Sequence, residues 1–591
     1  MRFGLYFHTL RHLRPVQITG RLWHRLNPAK PDLSPAPSLR QVSGRWVSPA
    51  ERPASMVAAD TFRFLNVVGQ VTNAADWNDP AQEKLWLYNL HYFDDLTALG
   101  AADRVNWHHA LITRWAAENP PGAGNGWEPY PTSLRLVNCI KWVLAGNTLK
   151  PTYVESLAVQ ARWLRRHIEW HLLGNHLFVN AKALVFAGLF FEGEEAGEWL
   201  AQGLKILRRE VPEQMLPDGA HFELSAMYHA IILEDLLDLV NAVGGWPGRV
   251  SEVVVAQWRE VVGRMLRWSA GMTHPDGGIA FFNDAALAIA PDHAALAAYA
   301  ERLGVVAATS VEDVARPAPS TVLASEAKQS SLFAKTERAG SPRRFAPPDD
   351  GLKRHLHSLA GCTHFADSAY VRLEQGEAVA FLDVAKVGPD YLPGHAHADT
   401  LSFELSLFGQ RVVVNSGTSR YGLGPERLRQ RGTAAHSTVE VNGADSSEVW
   451  GGFRVARRAR PFGLVIENDG NTLTVSCAHD GYRRLPGKPV HRRRWRLGER
   501  VLQVRDVIEN DFRKAVARYH LHPSVLVSGE GQEGEIQLQL PGGHAVRWSV
   551  VGGATRVVAS TWHPEFGLAM PSKCIEVLFD SREVRVELSW D

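Results

Sequence analysis

Two halves of the chain carry different hydrophobic periods. Between about residue 85 and residue 305, segments such as LWLYNLHYFDDLTAL, YVESLAVQARWLRRHIEWHL and LSAMYHAIILEDLLDLVNAV place apolar residues at three- and four-residue steps, the spacing of a helix face. Short Gly/Pro/Asn/Asp stretches such as NPPGAGNG and LPDGAH separate them. Consecutive helices with short connections predict antiparallel hairpins packed in a row or ring. From about residue 355 the period becomes two, in TLSFELSLF, NTLTVSCA, AVRWSVV and IEVLFDSREVRVELSW, which predicts antiparallel strands of a β-sandwich. The expected organisation is α+β and multidomain: an N-terminal segment docking on the body over 1–80, a helical domain over 81–305, a linker or inserted loop over 306–350, and a β-sandwich over 351–591. The 306–350 stretch earns its reading from Pro, Ser and charge without hydrophobic pattern.

Composition narrows the function. With 64 Lys and Arg against 63 Asp and Glu the net charge is +1, which argues against nucleic acid as a partner but leaves room for a locally basic cleft that binds an acidic polymer. The four cysteines stand far apart and form no CxxC pattern, so they read as buried thiols rather than metal ligands or disulfides. Most of the 19 Trp are expected to pack helices. The N-terminus, MRFGLYFHTLRHLRPVQITGRLWHRL, is basic, aromatic and amphipathic and lacks an apolar signal core, which by sequence points to the cytoplasm. Nowhere does an apolar run reach the length of a membrane span.

Candidate chemistry falls in four motifs. In GNHLFVNAKAL, Asn175 and His176 open a helix; such an Asn is ordinarily a cap, and functionally it is a neutral amide for a substrate carboxylate. In DGAHFELSAMYHAIILEDLLDL, Glu223, Ser225 and Tyr228 lie near a helix start, and the Tyr228 phenol can donate or accept a proton. In LPGHAHADTLSFEL, His395, His397 and Asp399 alternate; on a strand they share a face that continues through Leu401, Phe403 and Leu405, so they enter a buried face and need partners there. In VVVNSGTSRYG and ERLRQRGTAAHSTVEVNG, Asn415 and His436 sit at strand ends where they could converge with His397, and Arg429 and Arg431 are candidates for a guanidinium clamp on carboxylates.

Taken in order, GNH, ELSxxY, GHAHADxLSFEL, NSGTSRYG and GTAAHSTVEVNG resemble the heparinase II/III-like polysaccharide lyases over roughly residues 80–590, most specifically over 390–460. The resemblance implies an incomplete (α/α) toroid followed by an antiparallel β-sandwich, with the active site between them. It implies that Asn175 neutralises a uronate carboxylate beside His176, and that Tyr228 and His395 exchange the protons. It implies an acidic polysaccharide substrate, with Glu223, Arg429 and Arg431 as substrate-binding candidates, a place in bacterial exopolysaccharide or capsule metabolism, and a periplasmic location by analogy. The chemistry requires no cofactor. A structural zinc or other divalent ion is implied on His397 and His436, with Asn415 where the family carries Asp; a neutral amide is the weaker ligand.

Three other readings stay open at this level. A glycoside hydrolase needs two facing carboxylic acids, for which Glu223 and Asp218 are the available pair. A uronate C5-epimerase shares the proton abstraction but returns a proton to carbon. A catalytically silent glycan-binding protein would bind without turnover.

Overall fold

The computed structural model describes residues 2–26, 30–305, 323–324, 356–529 and 536–591. The linker reading for 306–350 therefore lies outside the described residues, apart from 323–324.

Two short helices, Arg2–Leu10 and Pro15–Leu26, and a three-stranded sheet, Met56–Gln70, precede the helical domain. Long helices follow, among them Pro129–Leu144, Gly174–Phe190, Ala226–Gly245 and Glu252–Gly271. The helix Gly174–Phe190 is buried on nearly every side, with Leu177, Phe178, Leu184, Val185 and Phe186 fully enclosed and Lys182 paired with Asp235 and Asp238, so it runs through the interior of the array rather than along its surface. Trp77, Trp115, Trp142, Trp199, Trp246 and Trp268 fill the spaces between helices.

Among the described residues the C-terminal half is built on two antiparallel sheets of ten and nine strands, the second including Leu323–Ala324, with a two-stranded sheet beside them. In the strand Val501–Glu509 alternate residues are buried, the pattern of a sheet with one face in the core and one in water. The core between the sheets holds Phe403, Leu405, Trp495, Val504, Tyr519, Trp548 and Leu588. The strand Phe403–Leu407 breaks the alternation, since all five residues are buried. Its inner face meets the sandwich core. Its outer face meets the helical domain, where Glu404 Oε2 and Ser406 Oγ each lie 2.8 Å from a ring nitrogen of His274.

One expectation fails here. His395, His397 and Asp399 do not share a strand face, because the strand starts only at Phe403. Pro393 and Gly394 open a loop, and Leu401 turns it into the sheet with a left-handed φ of 63°. In that loop His395 and His397 share Asp284 as a partner, while Asp399 accepts the Asn283 N–H.

Candidate active site

The site forms where the helical domain meets the larger sheet, and four segments build it. The first is the start of the helix Gly174–Phe190. Leu173 and Gly174 both take positive φ, 63° and 55°, and a Cβ on Gly174 would come within 2.4 Å of Leu392 and 3.0 Å of Glu223 Oε1. This backbone conformation brings the helix end against the loop that carries His395. Asn175 is not a cap, since the cap position belongs to Leu173 and makes no side-chain bond. His176, one residue on, lies 3.1 Å through Nδ1 from Glu169 Oε1 and packs 4.6 Å from the Tyr130 ring. Burial works against its charge, but Glu169 outweighs it and the imidazole is held above its ordinary pKa.

The second segment is Glu223–Tyr228. Ser225 caps the helix Ala226–Gly245 by accepting the Tyr228 N–H, which fixes where the phenol points. The Tyr228 and Tyr421 phenols share a hydrogen bond of 2.8 Å, and the Tyr228 ring stacks on the His395 ring with centroids 3.9 Å apart. Burial keeps the Tyr228 hydroxyl protonated well beyond the usual range. Glu223 is buried with neither carboxylate oxygen hydrogen-bonded, and its Oε2 lies 3.7 Å from His395 Nε2. Burial raises its pKa, so it is more readily protonated than an ordinary glutamate.

The third segment, Asn283–Asp284, ties the two halves together. Asn283, with φ of 58°, donates through its side chain to Leu224 O at 2.8 Å and accepts the His397 N–H at 3.0 Å. Asp284 is the hub. Its Oδ2 accepts from His395 Nδ1 at 2.8 Å, its Oδ1 accepts from His397 Nε2 at 2.8 Å, and Arg427 meets both oxygens. Burial alone would raise this carboxyl, but Arg427 and the two imidazoles hold it well below the usual range. An ionised Asp284 fixes the tautomers. A carboxylate can only accept, so His395 presents its Nδ1–H to Asp284 and turns Nε2 toward Glu223.

The fourth segment is the short helix Pro425–Arg431. Arg427 and Arg431, four residues apart, point inward together. Arg427 lies between the rings of Tyr421 and Phe453, at 4.9 and 5.4 Å. Arg431 spends its donors on backbone oxygens, Ala396 O at 2.8 Å among them, and braces the His395 loop. Arg429, on the opposite face, is exposed and bonds Glu426, Thr561 and His563. The expected clamp of Arg429 and Arg431 is therefore not assembled, and the guanidinium at the site is Arg427. Asp218, the partner Glu223 would need for hydrolysis, is tied up by the Ser368 N–H and hydroxyl at 2.7 and 2.8 Å.

Comparison with known proteins now decides the lineage. The model described as "Heparinase II/III N-terminus" matches residues 143–302 and "Heparinase II/III-like, C-terminal" matches residues 358–591. The chain belongs to the heparinase II/III-like family. A heparin-sulfate lyase of Bacteroides stercoris is 27% identical over 406 residues, covering 62% of this chain and 55% of that protein, so the alignment spans little more than half of the relative's length. Among solved structures, a crystal structure of heparinase III superposes with a TM-score of 0.62 at 16% identity, over 85% of this chain and 76% of that one. The heparan sulfate lyase HepC from Pedobacter heparinus gives 0.54 at 16% identity, over 90% and 81%. Helices followed by a β-sandwich is thus the heparinase II/III-like architecture.

The heparinase II/III-like fold also implies a structural metal, and the donors can be tested against it. Among the described residues His397, Asp399 and His436 form one buried cluster with ligand atoms within 4.8 Å of one another. Burial lowers the two imidazoles to about 4 and about 3, so both are neutral, as ligation requires. His436 Nδ1 is buried and has no hydrogen-bond partner. Two neutral imidazoles and a carboxylate fit a zinc-like ion, which would pin the His395 loop to the sheet. Asn415, the ligand candidate at the strand end, is engaged elsewhere. Its Oδ1 accepts the Ser437 N–H at 3.0 Å, so the acid of the cluster is Asp399 from the histidine loop itself. His397 Nδ1 also lies 3.1 Å from His436 Nε2, a hydrogen bond that an ion would have to replace.

Sequence reasoning missed Asn283, Asp284, Tyr421 and Arg427. Tyr421 lay inside a motif already singled out, and Arg427 inside ERLRQR. For Asn283–Asp284 the signal was a polar pair set in the apolar stretch IAFFNDAALA.

Proposed function

We propose that this protein is a polysaccharide lyase that cleaves a uronate-containing glycan by β-elimination. The observation that carries the reading is the contact between the Tyr228 phenol and the His395 imidazole, which Asp284 holds through Nδ1 so that Nε2 is turned toward Glu223, with Asn175 on the helix start that meets Glu223. This is an acid and a base with a neutral carboxylate-binding group, and it lacks the two open carboxylates that hydrolysis calls for. The family's relatives, named as heparin-sulfate lyases, support it.

In this reading Asn175 and the partly open His176 hold the uronate carboxylate, and Glu223, when protonated, adds a hydrogen-bond donor. Spreading the carboxylate charge lets a second negative charge develop at C5, and stabilising that charge is ordinarily the largest catalytic term. His395 Nε2 accepts the C5 proton. The C4–O4 bond breaks, a double bond forms between C4 and C5, and Tyr228 gives its proton to the departing O4. Solvent returns the proton to the Tyr228 phenolate, with Tyr421 relaying it through their shared hydrogen bond and ending protonated as it began, and His395 releases its proton to solvent. Asp284 balances the imidazolium while it exists.

The test is a panel of uronate polysaccharides, followed by the ultraviolet absorbance of unsaturated uronates. One substrate gives a rise that Tyr228→Phe and His395→Ala each reduce by about 10²–10⁴-fold without lowering the melting temperature. Full activity in Tyr228→Phe ends this assignment. Solvent deuterium entering the polymer without chain cleavage moves the reading to an epimerase.

A further inference from the structure

The first two helices are turned the wrong way round for parts of a water-exposed surface. Several of their polar side chains face the protein. Gln17 is buried and donates to Tyr391 O at 3.1 Å, and Arg14 bonds Glu213 at 2.5 Å with its guanidinium 3.6 Å from the Tyr391 ring. The Thr9 hydroxyl accepts from Trp450 Nε1 at 3.1 Å, and Gly20 lies close enough to His171 that a Cβ would approach within 3.1 Å.

Many of their apolar side chains face outward, although Val16 packs against the helical core. Phe3, Phe7 and Leu10 follow helical spacing and are 94%, 63% and 52% exposed; Leu22, Trp23 and Leu26 do the same at 57%, 66% and 78%. Scattered exposed apolar residues are ordinary, but this set is grouped on two consecutive helices. Charge adds a second, independent observation. Residues 1–26 contain five Arg and no Asp or Glu. Of these, Arg11 and Arg21 are exposed.

We propose that this helical hairpin lies on the surface of an anionic lipid bilayer. Phe3, Phe7, Leu10, Leu22, Trp23 and Leu26 would enter the boundary between headgroups and acyl chains, while Arg11 and Arg21 meet lipid phosphates. At 9 and 12 residues, neither helix can cross a hydrocarbon layer of about 30 Å. A second copy of this chain is the poorer occupant, since it would bring two all-basic segments together without counter-charge. The hairpin rests on Tyr391, four residues before His395, so attachment would place the mouth of the cleft next to the membrane.

The experiment is sedimentation of the full chain with vesicles of phosphatidylcholine alone or with about one third phosphatidylglycerol, in low and high salt. The expected result is pelleting with the anionic vesicles at low salt, weakened by salt. In Phe3→Ser/Leu22→Ser/Trp23→Ser it falls at least about tenfold while the melting temperature stays near wild type, because these side chains are more than half exposed. Three results overturn the proposal: no pelleting with anionic vesicles, equal pelleting of the variant, or a wild-type dimer in lipid-free solution that the variant converts to monomer.

Discussion

The two walls of the site are built on opposite principles. On the β-domain wall every group is committed. His395, His397 and Arg427 converge on Asp284, Arg427 sits between two rings, and Arg431 fastens the loop backbone. On the helical wall two groups stay uncommitted, although His176 bonds Glu169 and Tyr228 bonds Tyr421. Glu223 keeps two unpartnered oxygens, and the Asn175 amide, freed from capping, stands beside it. The contrast separates two tasks. Proton transfer needs groups held in one tautomer and one place before substrate arrives. Recognition of a carboxylate needs hydrogen-bonding capacity left unspent until it arrives.

The sharpest break of this contrast is Asp284→Asn. It leaves Arg427 buried without its counter-charge, and breaking a buried pair costs about 3–5 kcal/mol. It also releases His395 from its tautomer. We expect a clearly lower denaturation midpoint together with a loss of turnover of about 10²–10⁴-fold. Unchanged stability in this variant would mean that the β-domain wall is not held by Asp284.

Acid should act next. His91, His229, His274 and His520 are buried, and burial is the first cause that lowers them to about 3, 3, 4 and 4. In the unfolded chain each protonates near pH 6.5; in the folded chain each stays neutral. Stability is therefore complete above pH 6.5 and declines as pH falls from there toward 4. At pH 5.5 each such histidine removes about 1.4 kcal/mol. The melting temperature, measured from pH 7.5 to pH 5, should drop steadily below pH 6.5. A flat profile over that range means that these histidines are charged when folded.

Asn175→Ala tests the other wall. With no cap to lose, the melting temperature should hold within about 0.5 kcal/mol of stability. Turnover should fall through the carboxylate contact, by about 10²–10³-fold if the amide acts on the developing charge. A variant that only unfolds more easily would return Asn175 to a structural role.

Much of this arrangement is legible in the sequence where local geometry governs it. Period 3.6 and period 2 are properties of a few residues, and they separate the helical half from the sheets. The Ser225 cap that aims Tyr228 is local as well. The GHAHAD stretch misleads because its alternation imitates a strand, while Pro393, Gly394 and the left-handed Leu401 make it a loop. The Asn283–Asp284 pair was missed for a different reason. Its meaning resides in contacts to residues more than a hundred positions away, and no local pattern encodes those.

The smallest expected effect bears on how ERLRQR was read. A spacing of two makes Arg429 and Arg431 look like one clamp, but on a helix residues two apart point to different sides, while residues four apart share one. The helix Pro425–Arg431 accordingly buries Arg427 with Arg431 and turns Arg429 outward to Glu426. Arg429→Ala loses an exposed ion pair at three-residue spacing, worth no more than about 0.5 kcal/mol. Stability and the KM for a uronate polymer should both stay near wild type. If KM instead rises about tenfold, Arg429 swings from Glu426 to the substrate on binding, and the β-domain wall then holds an uncommitted group of its own.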